Sequence, residues 1–449
     1  MKPLFFMSFW VGGLLSSMGF ASQVLFEKEE TLPLVYLDLA VPIGYASDPE
    51  GQLGLARFTA EMLLRGTRLQ TKVQLDLALD QIGATFEVDI RPEAIVFRSA
   101  VLSDHLDPFL KLLFEVLTEP SFPELEIQKL KSETLSTIQE ELGHDISLAA
   151  KNFNRYLFDR HPYGKSALGK TQDVSHFTRD QVRAHYQKLF KNRSMILLGT
   201  GWASSSRIEA WAKQLDQAFH DDSGVWEQSV PAPKNPSKRR LVIVNKPDRT
   251  QAQIFGGQIG LPMTDPHFFP LYLGNHAFGG GSFSATLMVE IRVKRGWSYG
   301  ATSGFRPARK LGSWRFHLFP AEKDLPGALG LTLKLMDQLR TEGISQEAFE
   351  FTQQSLVQRA GFMYNTPQKR MENRLQEQIF GLPDGFMRTF GESLKKVSYQ
   401  QVREAWREFL KKDQWVVVVV ATSERVKEAL SSELGIASDQ IEVVSYTDE

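Results

Sequence analysis

Arg292 and Tyr299, seven positions apart, bear a guanidinium and a phenol, fixed donors suited to stabilising developing negative charge. Spacing alone says little, because a helix-end arginine and a core tyrosine would read the same way. Two neighbouring features sharpen the signal: the run Gly279-Gly280-Gly281-Ser282 lies upstream, and Arg295-Gly296 forms a turn between the pair. The run is not a phosphate loop, because no Gly-Lys-Ser/Thr follows it. A second constellation lies in Gly54-Leu55-Ala56-Arg57-Phe58-Thr59-Ala60-Glu61-Met62-Leu63, where Leu55, Phe58 and Met62 share one helical stripe. Arg57 has no lone pair to offer a metal, and Ala60 has no group to act as a base. Glu133 and Glu140 stand seven apart on a long amphipathic helix predicted over Pro123–Leu142, where on their own they read as a solvated acidic face. The nine histidines are scattered, and no two have the i, i+4 spacing of a zinc-binding helix. Unaided catalytic zinc chemistry, which needs neutral imidazoles and a carboxylate base, is therefore not expected of this chain.

The elements that position these residues follow from pattern and punctuation. Composition is that of a globular protein, with 42% hydrophobic and 23% charged residues. A net charge of -1 gives no global field toward nucleic acid or anionic membrane. The absence of cysteine excludes disulfides, thiolate metal sites and a cysteine nucleophile. Lys2, the apolar stretch Leu4 to Phe20 and the small residues around Gly19-Phe20-Ala21 read as a signal peptide over residues 1–21. An uncleaved anchor is the alternative, because the stretch approaches spanning length. Strands are expected at Leu34–Val41, Thr85–Asp89, Ile95–Val101 and Trp415–Ala421, and a helix over Gly54–Arg65 that stops at Gly66. Residues 221–238, polar and bearing Pro231, Pro233 and Pro236, form the best linker. It divides an N-terminal domain over 26–220 from a C-terminal domain over 239–449. An internal repeat supports that division. FTRDQVRAHYQKLFKNRSMIL, from Phe177, and VSYQQVREAWREFLKKDQWVV, from Val397, share Gln-Val-Arg at an offset of 220, and each closes one half.

These segments together resemble the pitrilysin/insulinase metallopeptidase family, whose members carry an inverted His-x-x-Glu-His zinc helix. The active pattern is similar to Gly-Leu-Ala-His-Phe-x-Glu-His-Met followed by Gly-Thr. Here Arg57 stands at the first ligand position, Ala60 at the catalytic glutamate, Glu61 at the second ligand, and Gly66-Thr67 follows. By the same resemblance Glu140, seven after Glu133, stands at the third ligand position and points at the degenerate site, where it would meet Arg57. The stretch from Gly279 to Tyr299 resembles the glycine loop and Arg…Tyr motif of the family's second domain. The resemblance implies that Gly279, Gly280, Gly281 and Ser282 bind substrate, and that Arg292 and Tyr299 act on a zinc site in trans. His161-Pro162-Tyr163-Gly164 matches a structural loop of the family. The implied fold is α+β: two homologous domains, each a mostly antiparallel sheet with helices on one face, paired like a clam. The implied role is the non-metal subunit of a periplasmic or secreted heterodimeric zinc endopeptidase. Such a chain holds no metal or other cofactor, while zinc resides in a homologous partner, and the substrate is a peptide or unfolded protein. An inert scaffold and a stand-alone peptide-binding protein are the other readings. The retained Arg292 and Tyr299 speak against a scaffold.

Overall fold

The computed structural model describes residues 23–190, 195–219, 230–281 and 283–448. The expected signal peptide, residues 220–229 of the linker region and Ser282 lie outside them. The first sheet contains β1 (Gln23–Lys28), β2 (Leu34–Val41), β3 (Thr85–Ile90), β4 (Ile95–Leu102) and β5 (Ile196–Gly201), in the order β1-β5-β2-β4-β3. The second contains β6 (Arg240–Asn245), β7 (Gln253–Ile259), β8 (Ser298–Arg306), β9 (Ser313–Pro320), β10 (Val416–Ala421) and β11 (Ile441–Ser445), in the order β11-β6-β10-β7-β9-β8. Without the edge strand β11, the second order is the first repeated, with β6 to β10 replacing β1 to β5. The senses agree as well: β1 with β5 and β6 with β10 are parallel, while the remaining pairs of both sheets are antiparallel apart from the added β11–β6 pair. The sequence repeat falls at equivalent places, on helix Arg179–Phe190 before β5 and helix Tyr399–Phe409 before β10.

Each sheet packs its own helices on one face. Val35, Leu37 and Leu39 face the first core, and Ile243, Ile254, Trp314 and Val417 face the second. The opposite faces are covered by exchange. Helix Asp145–Phe158 of the first half lays Leu148, Phe153 and Leu157 against Val242, Val244 and Val418 of the second sheet. Helix Pro367–Phe380 of the second half lays Met371, Leu375 and Ile379 against Ala40, Val96 and Leu198 of the first. This exchange explains why β10 reads Val-Val-Val-Val-Val-Ala rather than alternating: all six residues are buried, because both faces of the strand are covered. Charges fix the crossed helices. Asp145, at the start of its helix, receives Lys246 at 2.6 Å and Arg249 at 3.3 Å. Glu372 receives Arg98 at 2.8 Å and Arg91 at 3.2 Å.

Asp38 lies on the exchanged face of β2, facing Arg98, Arg91, Asp89 and Glu372. Burial pushes its carboxyl up to about 6, with Arg98, 3.9 Å away, opposing the rise. Below pH 4 the folded and unfolded chains both hold this proton. Between pH 4 and 6 the unfolded chain releases it first, so stability falls as pH rises and stays lower above pH 6. Asp38→Asn is expected to remove that fall, worth roughly 2–3 kcal/mol, as read by urea unfolding at half-unit pH steps. An unchanged slope in the variant would exclude Asp38 as its source.

Candidate functional site

Helix Phe268–Asn275 runs directly into a π-helical turn, His276–Gly280, which leads into the glycine run. Its last residue, Asn275, is buried and fully engaged. The side-chain amide donates to the Ser303 carbonyl at 3.2 Å, and its oxygen accepts from Ser303 Oγ and Trp314 Nε1, both at 2.7 Å. The base of the glycine run is thereby tied to β8 and β9. A Cβ on Gly279 would stand 2.5 Å from Ser303 Oγ, and one on Gly280 2.7 Å from Asn275 Nδ2, so this close approach admits only glycine.

A second π-helical turn, Met288–Val293, carries Arg292, and the chain leaves it through Gly296 at φ 66°. Such turns insert a residue into the helical ladder and often mark functional sites. The β8–β9 register slips between Ser298 and Ala301, placing one extra residue on β8. Ser298 pins this bulge: its hydroxyl donates to the Gly300 carbonyl at 2.6 Å and accepts from Phe319 N–H at 3.0 Å. A bulge re-aims the neighbouring side chain, and Tyr299 emerges 74% exposed at the start of a strand whose next residue is buried. The guanidinium carbon of Arg292 lies 4.1 Å from the Tyr299 ring centroid and 4.9 Å from that of Phe283. The cation is thus held between two outward rings by face-on attraction. The structure sets Arg292 and Tyr299 side by side. It adds Phe283, 61% exposed, to which sequence reasoning assigned no role because nothing in its local pattern distinguishes it. A phenol and a guanidinium so placed can both donate to one oxyanion outside the chain.

In the first half, helix Leu55–Met62 is entered at Gly54, with φ 92°. Asp48 caps it, one oxygen accepting from Gly54 N–H at 2.8 Å and the other from Ala56 N–H at 2.9 Å. Ala60 is fully buried in the core. Arg57 Nη2 lies 2.8 Å from Glu61 Oε1. Burial raises the Glu61 carboxyl while Arg57 opposes the rise. The expected Arg57–Glu140 pair is not formed. Glu140 is exposed and accepts from Ser136 Oγ at 3.0 Å on its own helix, Glu124–Glu141. The physical reason is proximity: Glu61 is one helical turn from Arg57 and takes its charge. The cation that does reach the long helix is Arg65, which pairs with Glu133 and, at 3.4 Å, with Glu126. The four positions do not fit a zinc ion: Arg57 and Ala60 offer no donor, Glu61 is held by Arg57, and Glu140 faces solvent. Among the described residues no three His, Asp or Glu side chains converge as a metal-holding group. His161 is a loop residue, accepting from Tyr163 N–H at 3.2 Å while its other nitrogen meets the Pro231 carbonyl at 2.8 Å.

The Arg57–Glu61 pair is open to test. Arg57→Ala strands a largely buried carboxylate and is expected to cost about 1.5–3 kcal/mol near neutral pH. Arg57→Ala combined with Glu61→Gln should recover most of that, as measured by denaturant unfolding. No recovery in the double variant would refute the pairing.

Two homologous sheet-and-helix domains, with a histidine-free zinc frame in one and an Arg/Tyr pair in the other, define the two-domain insulinase-type peptidase fold. Comparison with known families agrees. The insulinase (peptidase family M16) profile matches residues 23–171, and that of the peptidase M16 inactive domain matches residues 176–356. The chain belongs to peptidase family M16 and is an inactive homologue within it. It is 22% identical over 386 residues to a protein of Helicobacter pylori named non-peptidase homolog YmxG, covering 85% of this chain and 87% of that one. A crystal structure of a peptidase M16 inactive domain from Pseudomonas fluorescens superposes with a TM-score of 0.81 at 25% identity, covering 89% of this chain and 95% of the other. The periplasmic protease PqqL of Escherichia coli superposes at 0.75 with 14% identity, which shows the shared fold; the match covers 94% of this chain and 50% of PqqL.

Proposed function

We propose that this chain is the non-metal subunit of a periplasmic or secreted heterodimeric zinc endopeptidase, supplying substrate contacts and oxyanion support to a zinc-bearing homologue. One observation carries the reading: a half-buried Arg292 is stacked on an exposed, bulge-borne Tyr299, although the frame in their own chain has lost its metal ligands. A pair built only for packing would not need a bulge that turns the phenol outward. The glycine run beside it offers backbone groups to an extended peptide at close range. Periplasmic or secreted placement rests on the apolar N-terminal stretch, and a periplasmic protease shares the fold.

The test is reconstitution with a homologue that carries an intact His-x-x-Glu-His helix. Peptide hydrolysis is expected from the mixture and not from this chain alone. A mixed complex that assembles by gel filtration but cleaves no faster than the zinc subunit by itself would favour the scaffold reading.

A further inference from the structure

A cavity of about 810 Å³, lined in part by His276 and Gly280, opens beside the glycine run. Leu356, Phe390 and Leu394 form its buried floor, Tyr272 and Met363 its walls, and Phe362, 65% exposed, its mouth. The wall toward the glycine run is Gly280 together with His276, whose carbonyl accepts from Gly281 N–H at 2.7 Å. The cavity is apolar below and cationic at the rim. Its lining includes Arg359 and Lys369 and contains no aspartate or glutamate. Lys369 is held by the Phe362 carbonyl at 2.9 Å and Asn365 Oδ1 at 3.0 Å, neutral acceptors that leave its charge uncompensated. Arg359 has no ion pair among the described residues. Burial, with Arg359 adding to it, holds the His276 imidazole below its ordinary range, so the positive field at the rim comes from the other two groups.

We infer that this cavity is a peptide side-chain site that takes a large apolar residue next to an aspartate or glutamate. Apolar pockets of this size with a few convergent polar groups are the usual form of a binding site. Exposed Phe362 at the mouth continues the apolar lining of Leu356, Met363 and Phe390 outward, so a bound apolar side chain would meet a contiguous apolar surface. Charge complementarity decides the flanking residue: a carboxylate entering over Gly280 meets two cations and no anion, while a basic peptide meets only repulsion. The site deepens the reading above by naming a substrate class, but it is testable on this chain alone.

The experiment is fluorescence anisotropy with the isolated chain and three labelled synthetic peptides: phenylalanine flanked by glutamates, phenylalanine flanked by lysines, and serine flanked by glutamates. The first is expected to bind at least tenfold more tightly than either control. Arg359→Glu, an exposed change, should reverse the preference between the two phenylalanine peptides. Lys369→Glu should act in the same direction, and Phe362→Ser should weaken the first peptide severalfold. Equal binding of all three peptides, or an unchanged preference in both charge-reversed variants, would overturn the proposal. So would the absence of peptide binding together with self-association that Phe362→Ser abolishes, which would assign the cavity to a second copy of the chain. Because the readout is binding without a zinc partner, failure here with turnover of the mixed complex intact rejects the site alone. The opposite result rejects the subunit role alone.

Discussion

Tyr299→Phe in the mixed complex is expected to lower peptide turnover by roughly a hundred- to a thousandfold, the usual effect of deleting one oxyanion donor, while leaving assembly intact. The substitution removes one hydroxyl from a side chain that is three-quarters exposed, so it strands no buried partner and should change stability by less than about 0.5 kcal/mol. The phenylalanine ring still presents its face to Arg292, so the stacked geometry survives. Donors of this kind act mainly on charge that develops in the transition state. The loss should therefore appear in kcat, with KM changing little. The measurement is steady-state hydrolysis by gel-filtered complex, wild type against variant. Unchanged kcat in an intact complex would remove the oxyanion role and leave Tyr299 as part of a contact surface. Arg292→Lys is the companion variant: an ammonium keeps the charge but cannot lie flat between the two rings as a guanidinium does.

Phe153→Ala should destabilise the whole chain by about 3–5 kcal/mol, the range for truncating a fully buried aromatic. Phe153 belongs by sequence to the first half, yet its ring lies in the core beneath the second sheet, 6.4 Å from Phe255. The helix that bears it is the cover for that sheet's outer face, so the cavity opens between the halves. One cooperative transition, shifted as a unit, is the expected result in urea. Tryptophan fluorescence reports both sides, since Trp211 lies in the first core and Trp314 and Trp406 in the second. Loss confined to the second-half signal, with the first half unmoved, would show that the exchanged helices do not couple the domains.

The local elements were legible in the residues because their signals are local. Glycine stops, a proline before the long helix and hydrophobic periodicity placed the strands β2 to β4 and the helices that carry Arg57 and Glu140. The resemblance of the stretch from Gly279 to Tyr299 to the family's glycine loop and Arg…Tyr motif, not the spacing alone, singled out Arg292 and Tyr299. The constant offset of 220 revealed the duplication, because two copies of one fold keep the same order of elements. The sequence by itself thus determined that the zinc frame carries Arg57, Ala60 and Glu61, and that no histidine pair replaces it. Three-dimensional packing decided where the charges went. Glu140 and Glu133 lie on the same exposed face of the long helix, yet about two turns separate them along its axis, and Arg65 pairs with Glu133 while Glu140 accepts from Ser136. Likewise nothing in the pattern of helices Asp145–Phe158 and Pro367–Phe380 says which sheet each covers. An amphipathic stripe records that a face must be buried but not against what, and that choice is made only when the two halves close on each other.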